Sequence, residues 1–174
     1  MDNETLQNIR TRRSCRNYKP EQISDEELTA ILEAGTWAPT AKGLQDPWIV
    51  AVQDKKLREH LTRMNANVMG TAGDPFYGAP TIVLVFGSPE WANYIQDGSL
   101  VLGNMMLAAH SIGIASCWIN REIQMFRTPE GKAVIRSLGL PENVGGIGAL
   151  AVGYAAASPK EPKPRKDKYY RIIR

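Results

Sequence analysis

Residues 100–112 read LVLGNMMLAAHSI, a helical stretch that is apolar on nearly all sides. A helix without a polar face has to be central in its fold or sit at a subunit interface. The rest of the chain must therefore supply layers to cover it, or a second copy must. The length of 174 residues suits one domain with a sizeable core. Hydrophobic residues at 43% and charged residues at 22% exclude a disordered chain.

The covering layers can be read on either side of that stretch. WIVAV (48–52), TIVLVF (81–86), IASCWI (114–119) and residues 146–153 are apolar runs of strand length. Helical patterns separate them. One spans about Glu4 to Thr11, with Leu6 and Ile9 expected to face inward. Another opens at Ser24, where Glu27 three residues on completes a capping box. Its stripe is Leu28, Ile31 and Leu32, and Gly35 is the expected stop. A third starts near Lys55, with Leu57, Leu61, Met64 and Val68 at helical spacing. Thr128 and Pro129 open a last one, running to about Leu138. This order predicts a mixed α/β or α+β fold around a buried sheet of four or five strands. YYRII, residues 169–173, has strand-like composition beyond the last core strand and could add to a partner's sheet edge.

No run of about 18 apolar residues suggests a membrane span. MDNETLQNIR has no apolar signal core, which points to a cytoplasmic protein with Cys15 and Cys117 reduced. Two cysteines and two histidines far apart do not offer zinc spacing, and no metal is expected.

Charge is the second constraint. The net charge is +3, yet residues 10–19 alone carry +5, and residues 160–174 carry another +5 from seven bases and two acids, Lys160 among the bases. The remainder is therefore acidic, at −7. TRRSCR places Arg12, Arg13 and Arg16 around Ser14, and Lys163-Pro164-Arg165 stiffens a second pair of cations. Guanidinium groups match phosphate oxygens bidentately, and a serine adds a donor. Two clusters converging on one phosphate is the economical reading; two solvated basic patches is the bland one. Nucleic acid fits less well, since the chain between the ends is acidic and aromatic residues are only 7%. Gly146, Gly148 and Gly153 do not form a dinucleotide fingerprint, because they lie within a predicted strand rather than before a helix.

In this order, R-R-S-x-R, then A-P-T-x-x-x-x-Q (Ala38 to Gln45), then LAAHSIGIASCWI, then G-x-x-x-x-G-Y (Gly148 to Tyr154) followed by K-P-R resembles the nitroreductase family of flavin enzymes, over about residues 8 to 166. The resemblance implies one FMN-binding domain over residues 1–174, with a mostly antiparallel sheet flanked by helices. It also implies a homodimer in which the basic C-terminal extension, 160–174, is exchanged. It assigns Arg12, Arg13, Ser14 and Arg16 to the FMN phosphate and ribityl end, with Lys163 and Arg165 closing on the same group. Gln45, after the turn that includes Pro39 and Thr40, would reach the flavin from the partner subunit. Asn65 would meet the pyrimidine edge, with Asn67 as the rival. The segment Cys117, Trp118, Ile119 and Asn120 would turn its backbone, Ile119 and Asn120 above all, toward flavin N5 and O4. Gly43 stands where the family commonly has Asn.

The implied activity is ping-pong transfer from NAD(P)H through flavin N5 to nitroaromatics, quinones or related electron-poor acceptors. No catalytic side chain is required, because the cofactor carries the chemistry. Other flavin reactions on this scaffold (flavin destruction, dehydrogenation, dehalogenation) stay open, as does a non-enzymatic binder of phosphate ligands or nucleic acid. The remaining polar candidates read as structural: Cys117 as a buried apolar residue, His110 as a satisfied core or interface histidine, and Asp97 as a helix cap.

Overall fold

The computed structural model describes residues 1–159 and 161–174; Lys160 lies outside the described residues. Four strands, β1 (Trp48–Val52), β2 (Thr81–Gly87), β3 (Ala115–Ile119) and β4 (Gly145–Gly153), form one sheet in the order β1-β2-β4-β3. All three pairings are antiparallel. Leu84 of β2 stands between Val50 and Ala149, so β2 and β4 occupy the middle. Period-two alternation then divides TIVLVF between two faces. Ile82, Leu84 and Phe86 enter one core, and Val83 and Val85 enter the other. Each fully buried side chain of this size contributes roughly 2 kcal/mol.

Helices cover both faces. On one, α3 (Lys55–Met69), α5 (Glu122–Met125) and α6 (Pro129–Ser137) bring Leu61, Met64, Met125 and Ile135 to the sheet. On the other, α2 (Asp25–Thr36) and α4 (Tyr94–Ser111) contribute Ile31, Val101, Leu102 and Met105. The capping box forms as read: the Ser24 hydroxyl accepts from Glu27 N–H, and the Glu27 carboxylate accepts from Ser24 N–H.

Several expectations change. Gly35 lies within α2, and a Cβ there would meet Ile49 Cδ1 and Met105 Cγ, both at 2.9 Å. It is a point of close packing between α2 and α4 rather than a left-handed stop. The apolar helix begins at Tyr94, a turn and a half before Leu100, and Asp97 lies inside it rather than capping it. Leu100 is 47% exposed, so within this chain α4 buries one face only. In α1 (Glu4–Thr11) no residue is buried and Ile9 is exposed; the helix is tied to α4 by Asn8 Nδ2, which donates to Leu107 O at 2.9 Å. Residues 169–173 form no strand within this chain and are exposed. The four-residue α5 carries no periodic signal in the sequence and emerges only from the fold.

Candidate functional site

The basic hexapeptide follows α1 and is extended. Ser14 bridges Ser116 of β3, Cys15 N–H donates to Ser116 O at 3.0 Å, and Tyr18 bridges Ala155. The buried Tyr18 hydroxyl lies near both Cys15 O (2.9 Å) and Ala151 O (3.1 Å), pinning the segment to the sheet. Arg12 and Arg13 are half-buried beside this edge. Arg13 Nη1 donates to the carbonyls of Arg10 and Arg12, each at 2.7 Å. Arg12 Nη1 and Arg13 Nε are buried and have no partner among the described residues. Buried charged donors left without an acceptor are costly, and an anion satisfies them.

The second basic cluster comes to the same place. Arg12, Arg13, Lys163 and Arg165 line one cavity of about 640 Å³. Arg13 also lines an adjoining cavity of about 530 Å³ with Ser14 and Arg16. Arg16 lies over the Tyr77 ring at 5.9 Å. The residues present therefore fit a phosphorylated ligand. His110, at the end of α4, shares a 2.9 Å hydrogen bond with Thr11 Oγ1. Burial, then the charges of Arg12 and Arg13, push its pKa down, so it adds no positive charge at neutral pH.

At the other end of β3 the polar groups are engaged with one another. Asn65 is fully buried on α3, whereas Asn67 is exposed. Asn65 Nδ2 donates to Asn120 O at 2.8 Å and to Glu122 Oε1 at 3.3 Å, and Asn65 Oδ1 accepts from Arg121 Nε at 2.8 Å. Trp118 Nε1 donates to Asn120 Oδ1 at 2.8 Å. Cys117 and Ile119 point into the core, and burial pushes the Cys117 thiol up, as suits an inert small residue. Arg121 adopts φ 88°, in the left-handed region. Neither Arg121 nor Glu122 could be singled out from the sequence, where they look like ordinary charges at the start of a helix.

The loop of Pro39, Thr40 and Gln45 lies elsewhere. Gln45 has φ 52°, and its N–H donates to Thr40 Oγ1 at 3.0 Å. The buried Asp97 carboxylate holds this loop, accepting from Ala41 N–H and Trp91 Nε1, each at 3.0 Å. Thr40 and Gln45 line a cavity of about 140 Å³ that shares no lining residue with the arginine cavities. Within one chain, the two groups of predicted contacts are not brought together. No cluster of metal-ligating side chains exists among the described residues. No described helix is long and apolar enough to cross a membrane.

Comparison with known proteins places this geometry. The Nitroreductase family profile matches residues 9–72 and 67–154. An Archaeoglobus fulgidus protein, named for NADH dehydrogenase or NAD(P)H nitroreductase activity, is 36% identical over 175 residues, covering 95% of this chain and 90% of the relative. A Bacteroides fragilis nitroreductase solved with bound FMN superimposes with a TM-score of 0.92 at 34% identity, covering 99% of this chain and 100% of that one. A Desulfitobacterium hafniense nitroreductase, also with bound FMN, gives 0.88 at 29% identity, with coverage of 99% and 100%. The antiparallel sheet, its two helical layers and the matched sequence agree throughout: the chain belongs to the nitroreductase family.

Proposed function

We propose that this protein is an FMN-dependent oxidoreductase that takes hydride from NAD(P)H and reduces a small electron-poor acceptor, such as a nitroaromatic or a quinone. Bound FMN would supply the centre that accepts and returns the hydride. The observation that carries the proposal is the pair of buried, partnerless guanidinium nitrogens on Arg12 and Arg13, where the two basic clusters meet. FMN bound in the B. fragilis and D. hafniense structures supports the same ligand here.

Each residue then has a task. Arg12, Arg13, Ser14 and Arg16 hold the phosphate, and Lys163 and Arg165 close over it. The backbone at the end of β3, at Ile119 and Asn120, presents donors to the reacting ring, with Asn65 fixing that segment from beneath. Pro39, Thr40 and Gln45 serve the site of a second subunit, which agrees with their separation from the arginines within one chain. A homodimer accounts for the exposed apolar side chains Ile95 and Leu100 on α4, Trp37 after α2, and Ile172 and Ile173 in the tail. The second subunit's tail would find the sheet-side partner it lacks here.

Purified protein should be yellow, and heat should release FMN. Colourless protein that ignores added FMN would refute the proposal. Sedimentation should give twice the 19.3 kDa chain mass.

A further inference from the structure

Glu122 opens α5 with its side chain completely buried. Its Oε1 accepts one amide hydrogen, from Asn65 Nδ2, and its buried Oε2 has no partner among the described residues. None of the roles above uses this group. A carboxylate taken out of water costs far more than one amide contact returns, so the group keeps its proton. Burial raises its pKa to about 8, outweighing its own backbone N–H, the Arg121 charge and the Asn65 amide, which act in the opposite direction. Arg121 is the one charge acting on it among the described residues. β4, which packs on α5, has no titratable side chain, and α3 presents the uncharged Asn65.

The amide that meets Glu122 also holds the turn after β3, through Asn120 O and Arg121 Nε. Arg121 sits at φ 88°, a conformation that a residue with a Cβ keeps only when its neighbours hold it. Gly146 leaves no room for relaxation on the sheet side: a Cβ there would meet Glu122 O at 2.6 Å.

We propose that Glu122 is a positioning residue for the flavin chemistry: acting through Asn65 as an uncharged acid, it keeps the turn at Asn120 and the left-handed Arg121, and the backbone N–H groups there, in the arrangement the cofactor needs. The inference rests on the FMN reading above. Loss of the proton to solvent leaves a carboxylate that attracts the Arg121 guanidinium. Asn65 Oδ1 then loses its donor, and the turn is released.

The test uses the FMN-loaded wild type and Glu122→Gln, which keeps the shape and the amide contact without the titration. Nuclear magnetic resonance follows the Asn65 side-chain amide and Arg121 Nε through pH 8, and the flavin midpoint potential is measured over the same range. In the wild type both signals should shift together with a midpoint near 8, and the slope of potential against pH should bend there. In Glu122→Gln both effects should vanish. Persistence of either effect in the variant overturns the proposal. Should the variant fail to fold, the wild type decides alone: static Asn65 and Arg121 signals through pH 8 overturn it. A protein that takes up no FMN sinks the functional reading together with this inference. One that holds FMN above a turn indifferent to pH sinks this inference only.

Discussion

The two ends of β3 are finished in opposite ways. At its start, beside Ser14 and Ser116, buried cationic nitrogens of Arg12 and Arg13 have no acceptor among the described residues. At its end, Asn65, Asn120, Arg121 and Trp118 satisfy one another, and an acid oxygen of Glu122 is buried with no partner among the described residues. The first end presents donors that an anion would satisfy. The second is already organised and needs no ligand to hold its shape. A site of this kind places binding strength in one region and geometry in the other, which is how a protein can grip a cofactor's phosphate while leaving its reactive ring to be tuned.

The sharpest way to break this division is Arg13→Ala. It removes a donor at the meeting point of both clusters, and FMN affinity should fall by about 100-fold, the scale of a lost charge-assisted contact. Flavin fluorescence during titration of stripped protein measures this; a loss below threefold would mean the phosphate lies elsewhere.

Gly146→Ala attacks the other end. Its Cβ would press on Glu122 O and Phe126 Cδ2, each at 2.6 Å, so overpacking should cost about 2 kcal/mol. Melting should drop by roughly 6 °C, while the arginine end still binds the phosphate.

Glu122→Gln sharpens the comparison through pH. The folded acid has its pKa raised to about 8, above the ordinary value of 4.5 in the unfolded chain. Between those values the folded state binds more protons than the unfolded one, so wild-type stability falls as pH rises through the window. The variant lacks that loss. It should melt a few degrees higher than wild type at pH 8 and above, and the gap should close toward pH 4.5. Equal melting at both pH values would mean the acid is not desolvated as described.

The smallest effect is expected from Gly43→Asn. Gly43 has φ 66° and open space around its Cβ position, a conformation asparagine tolerates. Stability should change by less than about 0.5 kcal/mol. FMN affinity should rise by about threefold, as one recovered hydrogen bond allows.

The same contrast explains what was legible in the sequence. The arginine end was readable because charge is local: TRRSCR and KPR stand out against an acidic chain, and only their convergence needed the fold. The strands were readable because β2 is buried on both faces and reads as an unbroken apolar run. The strand end was readable only in part: the family resemblance points to Asn65, Ile119 and Asn120 but not to Arg121 or Glu122. Glu122 in a short helix looks solvated until α3 and β4 close over it. Asp97 looks like a cap until the helix is seen to begin at Tyr94, which turns its carboxylate toward Ala41 and Trp91. Gly35 reads as a helix stop for a related reason. Its meaning depends on how closely α4 approaches, and that distance is not encoded near residue 35.

The central claim, that the basic ends form a phosphate site for a flavin, is tested most directly by comparing FMN with riboflavin, which lacks only the phosphate. Stripped protein should bind FMN about 100-fold more tightly than riboflavin, since the guanidinium contacts are lost with the phosphate. Equal affinities, or no binding of either, would contradict the account.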